Sequence, residues 1–253
     1  MTMRPIITLL TDFGTADGYV AEMKGVLYAA APDATVVDLS HDIPPQDVEA
    51  GRLAVARYWR RFPSGTVHVV VVDPGVGSQR AALAVHSDER FLVGPDNGVL
   101  SPSLLANGSR AVTLPIPPSA SATFHGRDVF APAAAALASG EAVDSLGTPC
   151  IDPLIRRTPE ARRASDGSIV GEIIAIDRFG NAITNLIAPR GGRVELGAHA
   201  LPIVRAYADA AVGDILAVVG SSGFVEIAQR DGSAARALQL ARGMAVVLRT
   251  TGA

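Results

Sequence analysis

Cysteine is almost missing from this chain of 253 residues: Cys150 stands alone. A lone cysteine rules out an intrachain disulfide and any cysteine-rich zinc site. Charge is also sparse, at 19% of residues, and shows no positive excess, the formal net charge being -3. That balance removes a broad electrostatic case for nucleic acid or an anionic membrane as partner. No uninterrupted apolar run approaches a membrane span. The opening MTMRPIITLLTDFG meets an aspartate at position 12, too early for a signal peptide, so a cytoplasmic protein with no membrane attachment is expected. Neither a glycine fingerprint after the first strand nor a Walker A loop is present, which leaves nucleotide binding by those two routes unsupported. Internal repeats and a disordered tail are absent too.

What the chain has in quantity is apolar, 48% of its residues, much of it alanine and valine. The most concentrated stretch is VHVVVVDPGVGSQR, residues 67–80. Four valines in a row predict a strand buried on both faces, as in a parallel sheet covered by helices. That strand runs into Asp73, then a Pro74-Gly75 turn, then Arg80. Ile6 to Leu10 predicts an earlier buried strand closed by Thr11-Asp12-Phe13-Gly14. Asp17 is placed to cap a helix reaching Ala30, with Val20, Met23 and Leu27 on one face. Thr35 to Leu39 predicts a second strand, and Asp47 opens a helix carrying Val48, Gly51, Val55 and Trp59. A hairpin is expected from Ala81–His86 and Arg90–Val93, then a short helix from Val99 and an alanine-rich one through Pro132–Ser139, closed by Gly140. This alternation describes an α/β domain with a mostly parallel sheet over residues 1–150.

Residues 151–167 hold two prolines and four arginines and read as a linker. From Ser168 the pattern changes to short strands separated by glycine turns: 169–176, 182–187, 192–196, 201–207, 215–219, 224–229 and 244–248. A smaller β-rich domain, a partial barrel, is predicted over 168–253. The two parts differ in charge. Before residue 151 there are 10 basic and 15 acidic residues, a net -5; after it, 12 and 10, a net +2. The acidic first part suits a cationic ligand better than a phosphate-rich one.

Polar residues gather where apolar strands end. Asp12/Asp17, Asp73/Arg80, His125/Arg127/Asp128 and Asp177/Asn181 beside Asn185 form four clusters. Each taken singly is an ordinary loop or cap. Their common position at the carboxyl ends of parallel strands is where ligands bind in open α/β sheets. A metal centre drawing on Asp12, His41, Asp42, Asp73 and His125 lacks the spacing of any ligand motif. Asp38 and His41-Asp42 serve equally well as turn caps.

Six segments carry a resemblance: TDFGTADGYV at 11–20, VVDPGVGSQR at 71–80, VGPDNGVL at 93–100, FHGRDVFAP at 124–132, IDRFGNAITN at 176–185 and SSGFVEIA at 221–228. In this order they resemble the S-adenosyl-L-methionine hydroxide adenosyltransferase family, which is related to fluorinating and chlorinating enzymes acting on the same substrate. The resemblance implies an N-terminal α/β domain, a C-terminal β-domain and a homotrimer with active sites between subunits. It implies a hydrolase in which hydroxide attacks C5' of S-adenosyl-L-methionine by SN2, releasing adenosine and L-methionine, with no metal and no organic cofactor. The implied catalytic set is Asp73, Arg80 and His125, replaced in the halogenating relatives by residues shaping a halide pocket. Implied for substrate binding are Asp12 at the ribose diol, Asp17 and Asp177 at the methionine ammonium and Asn181 at adenine. Ser221 and Ser222 fall near the methionine end, and the 231–235 segment with Ser233 and Ala234 offers backbone groups to adenine. Relative to the halogenating enzymes, this chain is one residue shorter between Asp177 and Asn181. Halide use in the same pocket, a non-catalytic S-adenosylmethionine- or adenosine-binding protein, and a metal-dependent hydrolase are the alternatives.

Overall fold

The computed structural model describes residues 4–187 and 191–250. The chain divides into two compact units, Met1–Arg156 and Arg157–Ala253. The break falls inside the proline- and arginine-rich segment 151–167.

The first unit runs β1 (Ile6–Thr11), α1 (Tyr19–Ala30), β2 (Thr35–Ser40), α2 (Val48–Tyr58), β3 (Val67–Val71), β4 (Ala82–Ser87), β5 (Arg90–Pro95), α3 (Ser101–Leu104), β6 (Arg110–Leu114), α4 (Ala131–Ala138) and β7 (Thr148–Pro149). Its sheet has the order β2-β1-β3-β5-β4-β6-β7. The first four strands in that order are parallel, and β4, β6 and β7 extend them antiparallel. Strand alternation sends side chains to two separate cores. Ile7, Leu9, Val67, Val69 and Val71 meet Val20, Met23 and Leu27 of α1 and the alanines of α4. Leu10, Val70 and Val72 turn the other way onto Val48 and Val55 of α2 and Trp59. Both faces are thus covered, which is why the valine run shows no polar alternation. Each fully buried valine contributes roughly 2 kcal/mol of transfer free energy.

Several local expectations resolve in detail. Asp47 does cap α2, its side chain accepting from Ala50 N at 2.9 Å. Asp17 does not cap α1: the N-cap is Gly18, in the left-handed region at φ 78 with no side-chain bond, and Asp17 is exposed. The aspartate lies one residue too early, and glycine adopts that backbone without steric cost. Strand β6 and the two-residue β7 had no counterpart in the predicted pattern, because a short antiparallel strand such as Arg110–Leu114 is defined by its partner β4 rather than by its own composition.

The second unit contains β8 (Arg162–Arg163), β9 (Ile169–Ile176), β10 (Ala182–Ile187), β11 (Arg193–Leu196), β12 (His199–Val204), β13 (Ile215–Val219), β14 (Phe224–Gln229), α5 (Ala234–Ala237) and β15 (Ala245–Arg249). The order β10-β14-β13-β12-β11-β15-β9, with β9 also paired to β10, closes seven strands into a barrel. Only β12 and β13 pair in parallel; the other pairs in the ring are antiparallel. Ile173, Leu186, Val194, Ala217, Val225, Ile227, Val246 and Leu248 fill its interior. Strand β10 pairs with residues 173–176 of β9, and β8 pairs with Ile169 and Val170. Between them the Asn185 side chain accepts from Glu172 N at 2.7 Å and donates to Pro159 O at 2.8 Å. Asn185 is therefore a stitch in the barrel wall.

His68 sits fully buried in β3, its Nδ1 2.7 Å from Thr8 Oγ1 and its Nε2 3.1 Å from Trp59 O. Burial pushes its pKa down to about 4, helped by the Arg90 charge and opposed by the Trp59 carbonyl. Between pH 6.5 and 4 the unfolded chain takes up a proton that the folded one refuses, so stability falls with pH across that window. The expected loss is about 3 kcal/mol. Denaturant unfolding at pH 7.5 and pH 4.5 measures it, and His68→Asn should flatten the difference between the two; an unchanged difference would locate the acid sensitivity elsewhere.

Candidate active site at the strand ends of the first unit

The chain leaves β1 toward β2 on one side and returns to β3 on the other, so the sheet order reverses between β1 and β3. Ligands in open α/β sheets bind outside the carboxyl ends of the strands at such a reversal. Thr11 and Val71 are paired across it. Asp12 follows the one and Val72-Asp73 the other, which puts two carboxylates at the mouth of the crevice.

Asp73 is gripped by Arg80. Nε of Arg80 donates to Asp73 Oδ1 at 2.9 Å, and its Nη2 donates to Asp73 Oδ2. The same Nη2 donates to His125 Nδ1 at 2.8 Å, and Nη1 reaches Ala81 O at 3.4 Å. The guanidinium carbon lies 5.4 Å from the centre of the Phe130 ring. Side-chain exposure is 9% for Arg80 and 5% for Asp73. Two features bring these residues together. Gly77, at φ 76, lies so close to Ala122 O that a Cβ would sit 2.3 Å from it, which seats the 73–80 loop directly on the 121–125 loop. Asn97 donates to Val72 O at 2.8 Å and fixes the chain just before Asp73. His125 itself opens a π turn, Gly126–Phe130, that runs into α4.

An arginine cannot accept, so His125 Nδ1 is the acceptor of that bond, and a neutral imidazole then keeps its proton on Nε2. Burial lowers the His125 pKa and the Arg80 charge lowers it further, against Asp73 and Asp128, which raise it. Near neutrality His125 therefore carries its donor on Nε2, while acceptor capacity belongs to the Asp73 carboxylate.

Asp12 faces the same region. Its Oδ2 accepts from Gln46 N at 2.7 Å. Beside it Phe13, Tyr19 and Phe124 meet edge to face, with ring centres 5.3 to 5.9 Å apart. This corner takes three of the chain's twelve aromatic residues, and the sequence pattern gave no sign of it, since no two of them share a periodic element. Arg127 and Asp128, adjacent to His125 in sequence, are engaged elsewhere. Arg127 pairs with Asp128 at 2.6 Å and with Glu22 at 2.7 Å, and Asp128 also accepts from Ser121 N.

In the second unit Asp177 and Asn181 form one folded loop. Asp177 Oδ1 accepts from Phe179 N and Asn181 N at 2.9 Å, and its Oδ2 accepts from the Asn181 amide at 3.0 Å. The loop rests on the 233–235 segment: Gly180 O accepts from Ala235 N at 2.9 Å, and Gly180 itself touches Ser233. Ser233 caps α5, and Ala234 is fully buried. Ser221 and Ser222 lie exposed in the turn between β13 and β14. Asp177, Asn181, Ser233 and Ala234 are thus neighbours. Among the described residues no group of three or more His, Cys, Asp or Glu is placed to hold a metal ion.

Comparison with known proteins decides the family. A family model described as the SAM hydroxide adenosyltransferase N-terminal domain matches residues 7–147, and one for the C-terminal domain matches residues 171–247. The chain belongs to the SAM hydroxide adenosyltransferase family. A relative from Thermus thermophilus named (R)-S-adenosyl-L-methionine hydrolase is 42% identical, over 97% of this chain and 100% of its own. A protein from Actinopolyspora mzabensis named fluorinase is 30% identical over 96% of each chain. The crystal structure of an uncharacterized conserved protein from Thermotoga maritima superposes with a TM-score of 0.87 at 29% identity, covering 96% of this chain and 99% of that one.

Within this hydroxide adenosyltransferase, replacing Arg80 by Gln removes the positive charge beside His125 and releases Asp73 to act on it. The His125 pKa should rise toward the ordinary value, in a direction fixed by the two charge effects. Histidine-selective NMR titration of the wild type and Arg80→Gln checks this; an unmoved titration would mean burial alone sets the wild-type value.

Proposed function

We propose that the protein hydrolyses S-adenosyl-L-methionine to adenosine and L-methionine by SN2 attack of a water-derived hydroxide at C5'. The observation that carries this reading is the Arg80 fork holding Asp73 and His125 together at the sheet reversal. The hydrolase names of its relatives agree with it. In the reaction an O–C5' bond forms as the C5'–S bond breaks. The electron pair of the broken bond goes to sulfur, methionine departs as a neutral thioether, and the proton lost by water ends in solvent. A sulfonium leaves readily, so no acid is required for departure. Water is the poor partner, and positioning plus partial deprotonation is what the protein must add. Asp73 is the acceptor for that proton, and the Nε2–H of His125 orients the oxygen. Arg80 fixes both. We assign Asp12 to the ribose diol, Asp17 and Asp177 to the ammonium, Asn181, Ser233 and Ala234 to adenine, and Ser221 and Ser222 to the methionine end. These groups bind the cation in its ground state. They add rate only where they act more strongly on the transition state.

On this reading the reaction needs neither a metal nor an organic cofactor, and we place the protein in the cytoplasm as a homotrimer. The sparse charge and the family resemblance support the trimer. No helix among the described residues is long and apolar enough to cross a membrane. The relatives' names specify the R configuration, which with an L amino acid refers to the sulfonium centre; we assign the same epimer here.

Incubation with each sulfonium epimer, with and without chloride or fluoride, and identification of the nucleoside decides the reaction. Adenosine from the R epimer in every buffer is expected. A 5'-halo-5'-deoxyadenosine would point to the halide reaction, and ligand binding without methionine release to a non-catalytic protein. Separately, Asp73→Ala should lower kcat by roughly a hundredfold or more while KM moves less than about fivefold. Parallel loss in both constants would move Asp73 to the binding group.

A further inference from the structure

His41 belongs to none of the roles assigned above, yet it is buried at 6% exposure on the loop after β2, beside the crevice. Its contacts form a directed chain. Lys24 Nζ donates to Asp38 Oδ2 at 2.6 Å. His41 Nε2 lies 3.1 Å from Asp38 Oδ1, close but not aligned as a hydrogen bond. His41 Nδ1 lies 2.9 Å from Thr11 Oγ1, and that oxygen accepts from Phe13 N at 3.2 Å. With the imidazole proton on Nε2, facing the carboxylate, Nδ1 accepts from the Thr11 hydroxyl and every group in the chain has one direction. The backbone closes the loop a second time: Gly14 N donates to His41 O at 2.8 Å.

Asp12 lies between these anchors. Thr11 and Phe13 flank it: the Thr11 hydroxyl meets the imidazole and accepts from Phe13 N, while Gly14 is tied to the His41 carbonyl. The remaining bond, from Gln46 N to Asp12 Oδ2, comes from the same loop a few residues on. Gln46 holds a positive φ of 66, so that segment has an unusual backbone of its own to maintain. Burial would raise the Asp38 pKa, but the hydrogen bond from Lys24 and the closely approaching His41 ring outweigh it and lower it, keeping the outer end of the chain anionic.

We propose that His41 is a positioning residue that sets the Asp12 carboxylate for the ribose diol, with Asp38 and Lys24 orienting the ring. This rests on the hydrolase reading and on the assignment of Asp12 to ribose. It acts on one end of the substrate only. Adenosine and S-adenosylmethionine should sense His41, and free L-methionine should not.

The test compares wild type with His41→Ala, His41→Asn, His41→Gln and Asp38→Asn. The readouts are kcat and KM for S-adenosylmethionine and the calorimetric affinities of adenosine and of L-methionine. For His41→Ala we expect KM and the adenosine Kd to rise about tenfold, the size of one lost hydrogen bond to a well-placed group. The L-methionine Kd should stay within about twofold, since the altered contacts are all on the ribose side. His41→Asn keeps an acceptor near the Nδ1 position and should recover most of the loss. His41→Gln places its amide near Nε2 and should not. Asp38→Asn, at a half-exposed site, covers the case in which His41→Ala fails to fold, and should weaken adenosine about threefold by the same route. Unchanged adenosine affinity, or equal weakening of adenosine and methionine, would overturn the proposal. A wild-type protein that releases no methionine but still binds adenosine would sink the hydrolase reading while leaving the His41 comparison intact; one that binds no adenosine would sink both.

Discussion

One guanidinium joins the end of the central strand to His125, forty-five residues beyond the arginine that carries it. Arg80 donates to both oxygens of Asp73 and to the Nδ1 of His125, and all three side chains are largely taken from water to do so. Burying an ion pair is unfavourable unless its remaining donors and acceptors are satisfied. Here the geometry of two loops meets that condition. Gly77 allows backbone-to-backbone approach at Ala122, and Asn97 clamps the strand end from the other side. The arrangement fixes charge and tautomer together, because a base that accepts from arginine cannot also accept from water at the same nitrogen. The acid–base character of the crevice therefore follows from a contact that involves no ligand.

Some of this could be read in the residues directly. A run of valines without alternation reads as a strand covered on both sides, and an aspartate at its end lies in the crevice of a parallel sheet. Those two facts placed Asp73 and Asp12. Arg80 and His125 required the family resemblance, because forty-five residues of sequence say nothing about spatial approach. Asp17 misled as a cap because helix starts depend on local φ, which Gly18 supplies and Asp17 does not. His125, Arg127 and Asp128 looked like one cluster, yet the π turn rotates Arg127 and Asp128 toward Glu22 and Ser121 instead. Asn185, grouped by sequence with Asp177 and Asn181, instead bridges Glu172 N of β9 and the Pro159 carbonyl.

The two units solve the problem of holding polar groups at a strand end in different ways. In the first, charged side chains pair with one another across loops distant in sequence. In the second, Asp177 spends its acceptors on the amides of its own tight turn, and that turn is fixed by Gly180 against the start of α5. A turn organised from within depends less on the rest of the fold. It carries its Asn181 amide with it as one local piece.

Ring closure in the second unit has a further effect. A sheet with open borders exposes rows of amide and carbonyl groups that can recruit a strand from another molecule. Seven strands joined edge to edge leave no free outer strand within the ring of described residues, and Asn185 together with β8 covers the gap where β10 falls short on β9. Association through the ring itself therefore relies on side chains and loops, so a surface substitution there can retune it without disturbing the hydrogen-bonded hoop beneath.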